Sequence, residues 1–428
     1  MTQTSSPTQP PTLTPIQMSA LGGPQTLATV QARLATVLAA IAEGAVPREI
    51  AGDLPVEQVE WIRAVGFGAL RVPVVHGGAG LSLPDLTSLW IDLAAADSNL
   101  TQALRGHAAF VEDRLWAYRC GQDQGAWFDR FAAGHLVGNA WSETGGAGTR
   151  ETLFAPESEA FRLDGRKYYT TGSIYADWID VRARRADGSE VIALVCTDQP
   201  GVQVLDDWDG FGQRGTGSGT AIFTRARVEV ADVVAVGERF PYQSALYQLN
   251  LLATLVGIGR AALRDVVDQV RARCRNFSHA NTSRVRDDPQ VLARVGEIAA
   301  AVRAAEAVTL AAAAQVDRVA VGVGTWGADE LARLVEEAEV AVSSAQVVVT
   351  DLVLRATSDL FDTLGASATS RGCALDRHWR NARTVSSHNP RILKARVVGE
   401  NLVNGTAPPH AWVVGATERG VDGAGVCP

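Results

Sequence analysis

The stretch Ser244–Arg273, "SALYQLNLLATLVGIGRAALRDVVDQVRAR", decides the fold of this chain. Apolar residues recur in it at spacings of three and four over about eight helical turns, the period of a long buried α-helix. Two alanine-rich segments with the same period follow, at 289–320 and 328–361, and a fourth helix is expected after Pro390. Because small alanine side chains allow helices to pack closely, residues 241–428 are predicted to form a helical bundle. So much apolar helix surface also predicts a homo-oligomer.

Upstream of this stretch the pattern changes twice. Residues 138–240 alternate apolar and polar side chains, as in "FRLDGRKYYTTG" and "GTAIFTRARVEV", which predicts a compact β domain. The Asp-Gly pairs at Asp164 and Asp187 predict turns between its strands. Residues 25–137 are again helical in pattern, and residues 1–24, rich in Thr, Ser, Gln and Pro, predict a disordered tail. The predicted fold class is therefore mainly α with a small β domain.

The composition excludes several classes of partner. The chain has 428 residues and a net charge of -8, with no long basic run, so neither a nucleic acid nor an anionic membrane is an expected partner. The five cysteines are odd in number and widely spaced, which favours a reducing cytoplasm over a disulfide framework or a zinc site. No uninterrupted apolar stretch of about 20 residues was found, so a soluble protein is predicted.

None of several familiar catalytic motifs stands in its required context in the sequence. No GxGxxG follows a strand, no P-loop is present, no two histidines stand at metal-ligand spacing on one helix, and no GxSxG elbow occurs. Dinucleotide-binding, phosphoryl-transfer, zinc-protease and hydrolase readings are thereby excluded, and no metal site is predicted.

Three polar segments of the β domain remain as candidates. The segment 138–149, "GNAWSETGGAGT", is either a loop that wraps a planar heterocycle or an ordinary surface loop. Thr171, in "KYYTTG", either contacts a ligand ring or is a structural strand residue. The segment 206–220, "DDWDGFGQRGTGSGT", is suited to a mobile lid with an aromatic face, and equally to a long hairpin tip.

A fourth candidate lies in the bundle, in "RHWRNARTVSSHNPRILKAR" at 377–396. Pro390 disfavours helical conformation at Asn389, which places His388 at the end of a helix. A histidine there is either a solvated or capping residue, or a group on which chemistry depends.

Five segments in order resemble the acyl-CoA dehydrogenase family: "LRVPVVHGGAGLSLPDL", "GNAWSETGG", "DGRKYYTTG", "FGQRGTGSGTAIF" and "RNARTVSSHN". The resemblance implies an N-terminal helical domain, a middle β-barrel or sandwich and a C-terminal four-helix bundle that together bind a flavin. It also implies flavin contacts from the loop and turn residues Trp141, Ser142, Tyr169 and Thr171.

The sequence departs from the dehydrogenases at their catalytic base. Most members carry a Glu shortly after an Arg-Asp-x-Arg segment, but here Arg380-Asn381-Ala382-Arg383 is followed by His388 and no Glu. The alternative position, in "SALYQLNLLATLVGIG", also lacks an acid. Loss of a general base costs about 10²- to 10⁴-fold in rate.

The His-Asn-Pro sequence resembles instead the two-component flavin monooxygenases of this family, similar to dibenzothiophene and sulfone monooxygenases. These take reduced flavin from a separate reductase, form a C4a-hydroperoxyflavin with O₂, and oxygenate a small sulfur-, nitrogen- or aromatic-containing substrate. Reduced FMN is favoured over FAD, and a homotetramer is implied.

By that resemblance His388 acts as acid, base or hydrogen-bond donor, and Thr171 lies near flavin N5. Asn139 and, more weakly, His107 in "LRGHAAF" are pocket residues. The remaining candidates are the lid residues Trp208 and Phe211 and the cofactor-binding residues Arg273, Arg275 and Ser367. The two arginines either hold the flavin phosphate, across a subunit interface, or are surface charges.

Two alternatives remain open at this point. The chain is an acyl-CoA dehydrogenase whose base lies elsewhere, with FAD and an electron-transfer partner, or it is a flavin-free relative that acts as a binding or scaffold protein.

Overall fold

A computed structural model of the chain describes residues 25–143, 152–157, 159–236 and 239–409. The predicted tail, 1–24, and part of the loop 138–149 lie outside the described residues.

Within the described residues the chain forms twelve α-helices and eight β-strands. The helices are α1 (Leu27–Glu43), α2 (Ala45–Ala51), α3 (Val56–Ala64), α4 (Leu83–Ala96), α5 (Ser98–Ala103), α6 (Arg105–Arg119), α7 (Gly125–Ala132), α8 (Gln243–Ala272), α9 (Pro289–Val321), α10 (Ala328–Asp359), α11 (Asp376–Ser387) and α12 (Lys394–Asn404). The strands are β1 (Val137–Ala140), β2 (Leu153–Glu157), β3 (Ala160–Lys167), β4 (Trp178–Arg185), β5 (Glu190–Cys196), β6 (Val202–Val204), β7 (Ala221–Glu229) and β8 (Val233–Ala235).

The strands form one sheet in the order β6-β7-β3-β2-β4-β5-β8, with β1 paired in parallel to β4. Side chains of β5 are buried on both faces: Val191 and Ala193 lie in the core of the sheet, whereas Ile192 and Leu194 pack with the aromatic side chains of α6 and α7. The sheet is therefore held between its own core and the N-terminal helices.

One of the two predicted turns is wrong. Asp187 precedes Gly188, which has φ 85° in the turn between β4 and β5, as predicted. Asp164 and Gly165, by contrast, lie inside β3 at a β-bulge. A Cβ at Gly165 would come within 2.6 Å of the Cα of Thr152, so the glycine serves a close approach of two strands.

Helix α8 is the centre of the bundle and contacts α4, α9, α10 and α11. A Cβ at Gly257 would come within 2.7 Å of the carbonyl oxygen of Ile91, so this glycine lets α8 approach α4 closely. The N-terminal helices and the bundle share a single hydrophobic core. The predicted helix after Pro390 is α12.

Within the part of the chain that the structure describes, two helices are long and apolar enough to cross a membrane, Gln243–Ala272 and Ala328–Thr363. Neither helix contains an uninterrupted apolar run of about 20 residues. In Gln243–Ala272, 83% of the most apolar window is buried inside the protein. A helix surrounded by other helices is apolar on all sides, and this packing accounts for the composition.

Candidate active site

His388 is the C-terminal capping residue of α11 and lies beside Arg105, the first residue of α6. Nε2 of His388 is 3.0 Å from Nη2 of Arg105. A guanidinium can only donate hydrogen bonds, so Nε2 is the acceptor and carries no proton. In the neutral imidazole the proton is therefore on Nδ1, which makes Nδ1–H a hydrogen-bond donor.

His388 and its partner Arg105 differ in exposure. The residue is exposed to solvent, yet its partner Arg105 is only 6% exposed. The surrounding protein and then the positive charge of Arg105 lower the pKa of His388 below its usual value of 6.5. The imidazole is consequently neutral at pH 7, as the hydrogen bond from Arg105 requires.

Arg105 itself is held by the bundle. Its guanidinium carbon lies 4.9 Å from the ring centroid of Tyr247 on α8, a cation–π contact. Burial lowers the pKa of Arg105, but a guanidinium stays protonated in proteins at neutral pH. The site thus contains a fixed positive charge next to a neutral histidine.

Asn139 lies on β1, a strand within the segment that the sequence predicts as a loop. A Cβ at Gly106 would come within 2.7 Å of Oδ1 of Asn139, so only a glycine after Arg105 lets α6 approach this amide. Oδ1 of Asn139 is buried and has no hydrogen-bond partner among the described residues. The predicted pocket asparagine and Arg105 are therefore neighbours.

Trp141 is fixed by two charged side chains from other elements. Its Nε1–H donates to Oδ1 of Asp180 on β4 at 2.8 Å, and the guanidinium carbon of Arg239 lies 5.2 Å from the ring centroid. Arg239 also pairs with Asp180, at 3.0 Å. Next to Trp141, the carbonyl oxygen of Ser142 accepts a hydrogen bond from the backbone N–H of Tyr168 at 3.1 Å. This bond brings the two predicted flavin-binding segments together.

Thr171 is buried and belongs to a chain of hydroxyl groups. Its Oγ1 lies 2.9 Å from Oγ of Ser218, which lies 2.7 Å from Oγ1 of Thr216. Oγ1 of Thr216 donates to the carbonyl oxygen of Gln213 at 2.8 Å, which orients the chain. Thr171 is thus a hydroxyl whose position is set by its neighbours.

The segment predicted as a mobile lid is tied to α11. Nη1 of Arg380 donates to the carbonyl oxygen of Phe211 at 2.9 Å, and the N–H of Gln213 donates to Oδ1 of Asn381 at 2.5 Å. Trp208 packs edge-on against Tyr169, with ring centroids 5.7 Å apart. Phe211 instead stacks on Trp379, at 6.0 Å. These contacts favour a fixed aromatic wall over a lid.

His107 has a structural position. Nε2 donates to the carbonyl oxygen of Gly68 at 2.9 Å, and Nδ1 accepts from the N–H of Val137 at 3.2 Å. Both ring nitrogens are used by backbone groups, so neither is left for a ligand. His107 also lines a small cavity with Phe67 and Leu104, and its role as a substrate-pocket residue stays a prediction.

The chain is similar to a protein family and to solved structures. Residues 249–390 match the family model described as the acyl-CoA dehydrogenase C-terminal domain. The crystal structure of TdsC from Paenibacillus sp. A11-2 with FMN and indole superposes with a TM-score of 0.79 and 28% identity, covering 89% of this chain and 99% of that one. The chain has the acyl-CoA dehydrogenase fold.

Several curated relatives of the chain are named as monooxygenases, and one is named as a putative acyl-CoA dehydrogenase. Dibenzothiophene monooxygenase of Rhodococcus qingshengii is 27% identical over 383 residues, 85% of this chain and 90% of that protein. A probable FMNH2-dependent monooxygenase, SfnC of Pseudomonas putida, is 26% identical over 381 residues, 87% of this chain and 94% of that protein. The predicted fold class and the predicted relation to flavin monooxygenases are confirmed.

Within the acyl-CoA dehydrogenase fold, the predicted phosphate-binding cations lie far from His388 in the same chain. Arg273 and Arg275 follow the C-terminus of α8, whereas Tyr247 is near its N-terminus. The 26 residues between Tyr247 and Arg273 span about 39 Å of helix. Arg273 lies near Gly365, two residues before Ser367, so Arg273 and the segment of Ser367 are close to each other.

The residues of the site fit a flavin. Trp141 offers an aromatic face, Thr171 and Ser218 offer hydroxyl groups, and Oδ1 of Asn139 is a buried polar atom still to be satisfied. A planar ring with several polar edges matches this combination.

Four residues of the site were missed in the sequence: Arg105, Tyr247, Asp180 and Arg239. Nothing in the local sequence marks Tyr247, Asp180 or Arg239. The only signal for Arg105 was its place two residues before His107 in "LRGHAAF".

Proposed function

We propose that the protein is a flavin-dependent monooxygenase that uses reduced FMN and O₂ to oxygenate a small sulfur-, nitrogen- or aromatic-containing substrate. The observation that carries this proposal is His388, a neutral imidazole with Nδ1–H as donor, at the position where dehydrogenases of this fold need a carboxylate base. The homologues named for dibenzothiophene and reduced FMN support the same reaction class.

The rival dehydrogenase reading needs a reachable base. Burial raises the pKa of Glu339, on α10, to about 7, which would suit a base. Its residue is only 2% exposed, however, and its charged neighbour is the equally buried Lys394. A substrate carbon cannot approach a carboxylate enclosed in this way, so Glu339 does not restore the dehydrogenase reading.

The residues of the chain have separate tasks in the proposed reaction. The bound reduced flavin would supply the electrons that activate O₂. Trp141 and Ser142 would hold the ring, and Thr171 would hydrogen-bond to its polar edge. Nδ1–H of His388 would donate to the oxygen being transferred or to the substrate, and Arg105 keeps that proton on Nδ1. The aromatic wall of Tyr169 and Trp208 would keep water out.

The proposal also covers the oligomeric state of the protein and the source of its reduced FMN. We propose a homotetramer in the cytoplasm that receives reduced FMN from a separate reductase. The exposed side chains Ile392, Leu402 and Val403, on and before α12, support a subunit interface there. Because Arg273 lies so far from Tyr247 in one chain, it would reach the flavin phosphate of a neighbouring subunit. The free cysteines among the described residues are compatible with a reducing compartment.

The test is an aerobic product screen with a flavin reductase, FMN and NADH, on thiophenes, indoles and aryl amines. The proposal predicts a product that is heavier by one oxygen and is labelled by ¹⁸O₂. A second experiment tests the dehydrogenase alternative: saturated acyl-CoAs are added, without O₂, to the protein loaded with oxidised FAD. Bleaching of the flavin in that experiment, with no oxygenated product in the first, would establish the dehydrogenase instead. If the protein binds neither flavin, oxidised or reduced, the flavin-free scaffold reading stands.

A further inference from the structure

Arg105 differs from the other deeply buried arginines in its partners. Arg71 lies 2.5 Å from Glu112, Arg239 lies 3.2 Å from Asp113, and Arg377 lies 2.5 Å from Asp265. Arg105 is as buried as these, at 6% exposed. Within residues 25–143, 152–157, 159–236 and 239–409, no carboxylate forms an ion pair with it, and its Nε is buried without a hydrogen-bond partner.

The two contacts that Arg105 does make leave its charge uncompensated. His388 is neutral, and the ring face of Tyr247 gives a weak attraction. The carboxylates of the adjacent buried network, Asp113 and Asp180, are both held by Arg239. A buried charge without a counter-charge is costly and is seldom kept in a fold unless it is used.

We propose that Arg105 binds the negatively charged group of the substrate, a small organic anion such as a carboxylate or a sulfinate. The inference rests on the proposed monooxygenase function, because it names the substrate class of that site. Planar guanidinium groups recognise such anions through parallel N–H donors. Nε of Arg105 has no partner in the described part of the chain and Nη2 of the same guanidinium contacts His388, so an anion bound at Nε would lie next to His388.

The position of Arg105 favours the substrate over the flavin as the source of this anion. Its contacts, His388 and Tyr247, belong to the bundle. The residues that fit the flavin ring, Trp141, Ser142 and Thr171, belong to the β domain. Asn139, on β1, lies beside Gly106, the residue after Arg105.

The test is calorimetric titration of the flavin-free protein with pairs of matched ligands: benzoate against benzamide, phenylacetate against phenylacetamide, and methanesulfinate against dimethyl sulfone. At least one anion is expected to bind about tenfold or more tightly than its neutral counterpart. Arg105→Met should weaken that anion about 10- to 100-fold and leave the neutral ligand unchanged. Arg303→Met is the control, because it removes the same charge from an exposed position on α9.

The inference is overturned if no anion is preferred to its neutral counterpart, or if Arg105→Met keeps the preference. It is also overturned if FMN affinity falls in Arg105→Met by as much as anion affinity, since the flavin would then supply the charge. If Arg105→Met does not fold, the inference is tested on the natural protein by thermal unfolding. The preferred anion must then raise its melting temperature more than the neutral ligand does.

This test is separate from that of the proposed function. Oxygenation of neutral compounds without any anion preference would reject the anion site and retain the monooxygenase. Anion preference without oxygen transfer from reduced flavin would retain the anion site of Arg105 and reject the monooxygenase.

Discussion

Nη2 of Arg105 donates a hydrogen bond to Nε2 of His388 at 3.0 Å, across 283 positions of sequence. This single contact fixes the tautomer of the candidate catalytic histidine. Two substitutions of His388 test the roles of its two ring nitrogens separately. In His388→Asn the amide nitrogen replaces the donor Nδ1–H, and in His388→Gln the amide oxygen replaces the acceptor Nε2.

We expect His388→Asn to keep part of the oxygen transfer and His388→Gln to lose about 10²-fold, with electrons diverted to H₂O₂. The measurement is the ratio of product to H₂O₂ at a fixed supply of reduced FMN. FMN affinity, measured alongside, should stay unchanged in both variants. Equal activity of His388→Gln and the natural protein would exclude a role for the Nδ1 proton.

Thr170 and Thr171 are adjacent buried threonines with different partners, which makes them a matched pair. Oγ1 of Thr170 donates to the carbonyl oxygen of Gly219 at 2.9 Å, whereas Oγ1 of Thr171 bonds only to the hydroxyl of Ser218 among the described groups. Replacement of either by Val should cost about 1 kcal/mol of stability. Only Thr171→Val should also weaken FMN binding, about tenfold by fluorescence titration. Equal FMN affinities in the two variants would remove Thr171 from the flavin site.

His107 predicts a pH dependence of stability. Burial lowers its pKa from 6.5 to about 4, so between these values the unfolded chain binds more protons than the folded one. The free energy of unfolding therefore falls as the pH is lowered from 6.5 towards 4, by at most about 3 kcal/mol from this residue. In denaturant titrations at several pH values, His107→Gln should be less stable at pH 7 and should show a smaller slope. If His107→Gln instead keeps the natural dependence of unfolding free energy on pH and changes the KM for substrate, His107 is a residue of the substrate pocket.

Arg273 and His388 test whether the site is shared between subunits. Arg273→Met and His388→Ala are each expected to be inactive as pure oligomers, the first through weak FMN binding and the second through lost oxygen transfer. If the flavin contacts both subunits, mixed oligomers regain up to about a quarter of the natural activity per site, since one site in four combines two intact halves. Co-expression with two affinity tags measures this. Absence of recovery in verified mixed oligomers would place Arg273 outside the flavin site.

Local patterns predicted the order of helices and strands well, because helical and strand periods are written in neighbouring residues. They failed where a longer-range contact intervened. Asp164 and Gly165 read as a turn, but pairing of β3 with β7 and the close approach of Thr152 keep them inside a bulged strand. Phe211 and Gln213 lie in a segment whose pattern suits a lid or a hairpin tip equally, and only the structure shows that their backbone groups bond to α11.

The sequence by itself determined the helical and β segments, the missing Glu after Arg383 and the place of His388 at a helix end, since each depends on residues close together in the chain. Only the tertiary structure decided what those residues do. In the structure, both ring nitrogens of His107 bond to backbone groups, and Arg105 contacts His388. Burial, hydrogen-bond partners and the charge around a group are set by packing between distant segments, and these properties decide which histidine is free to act.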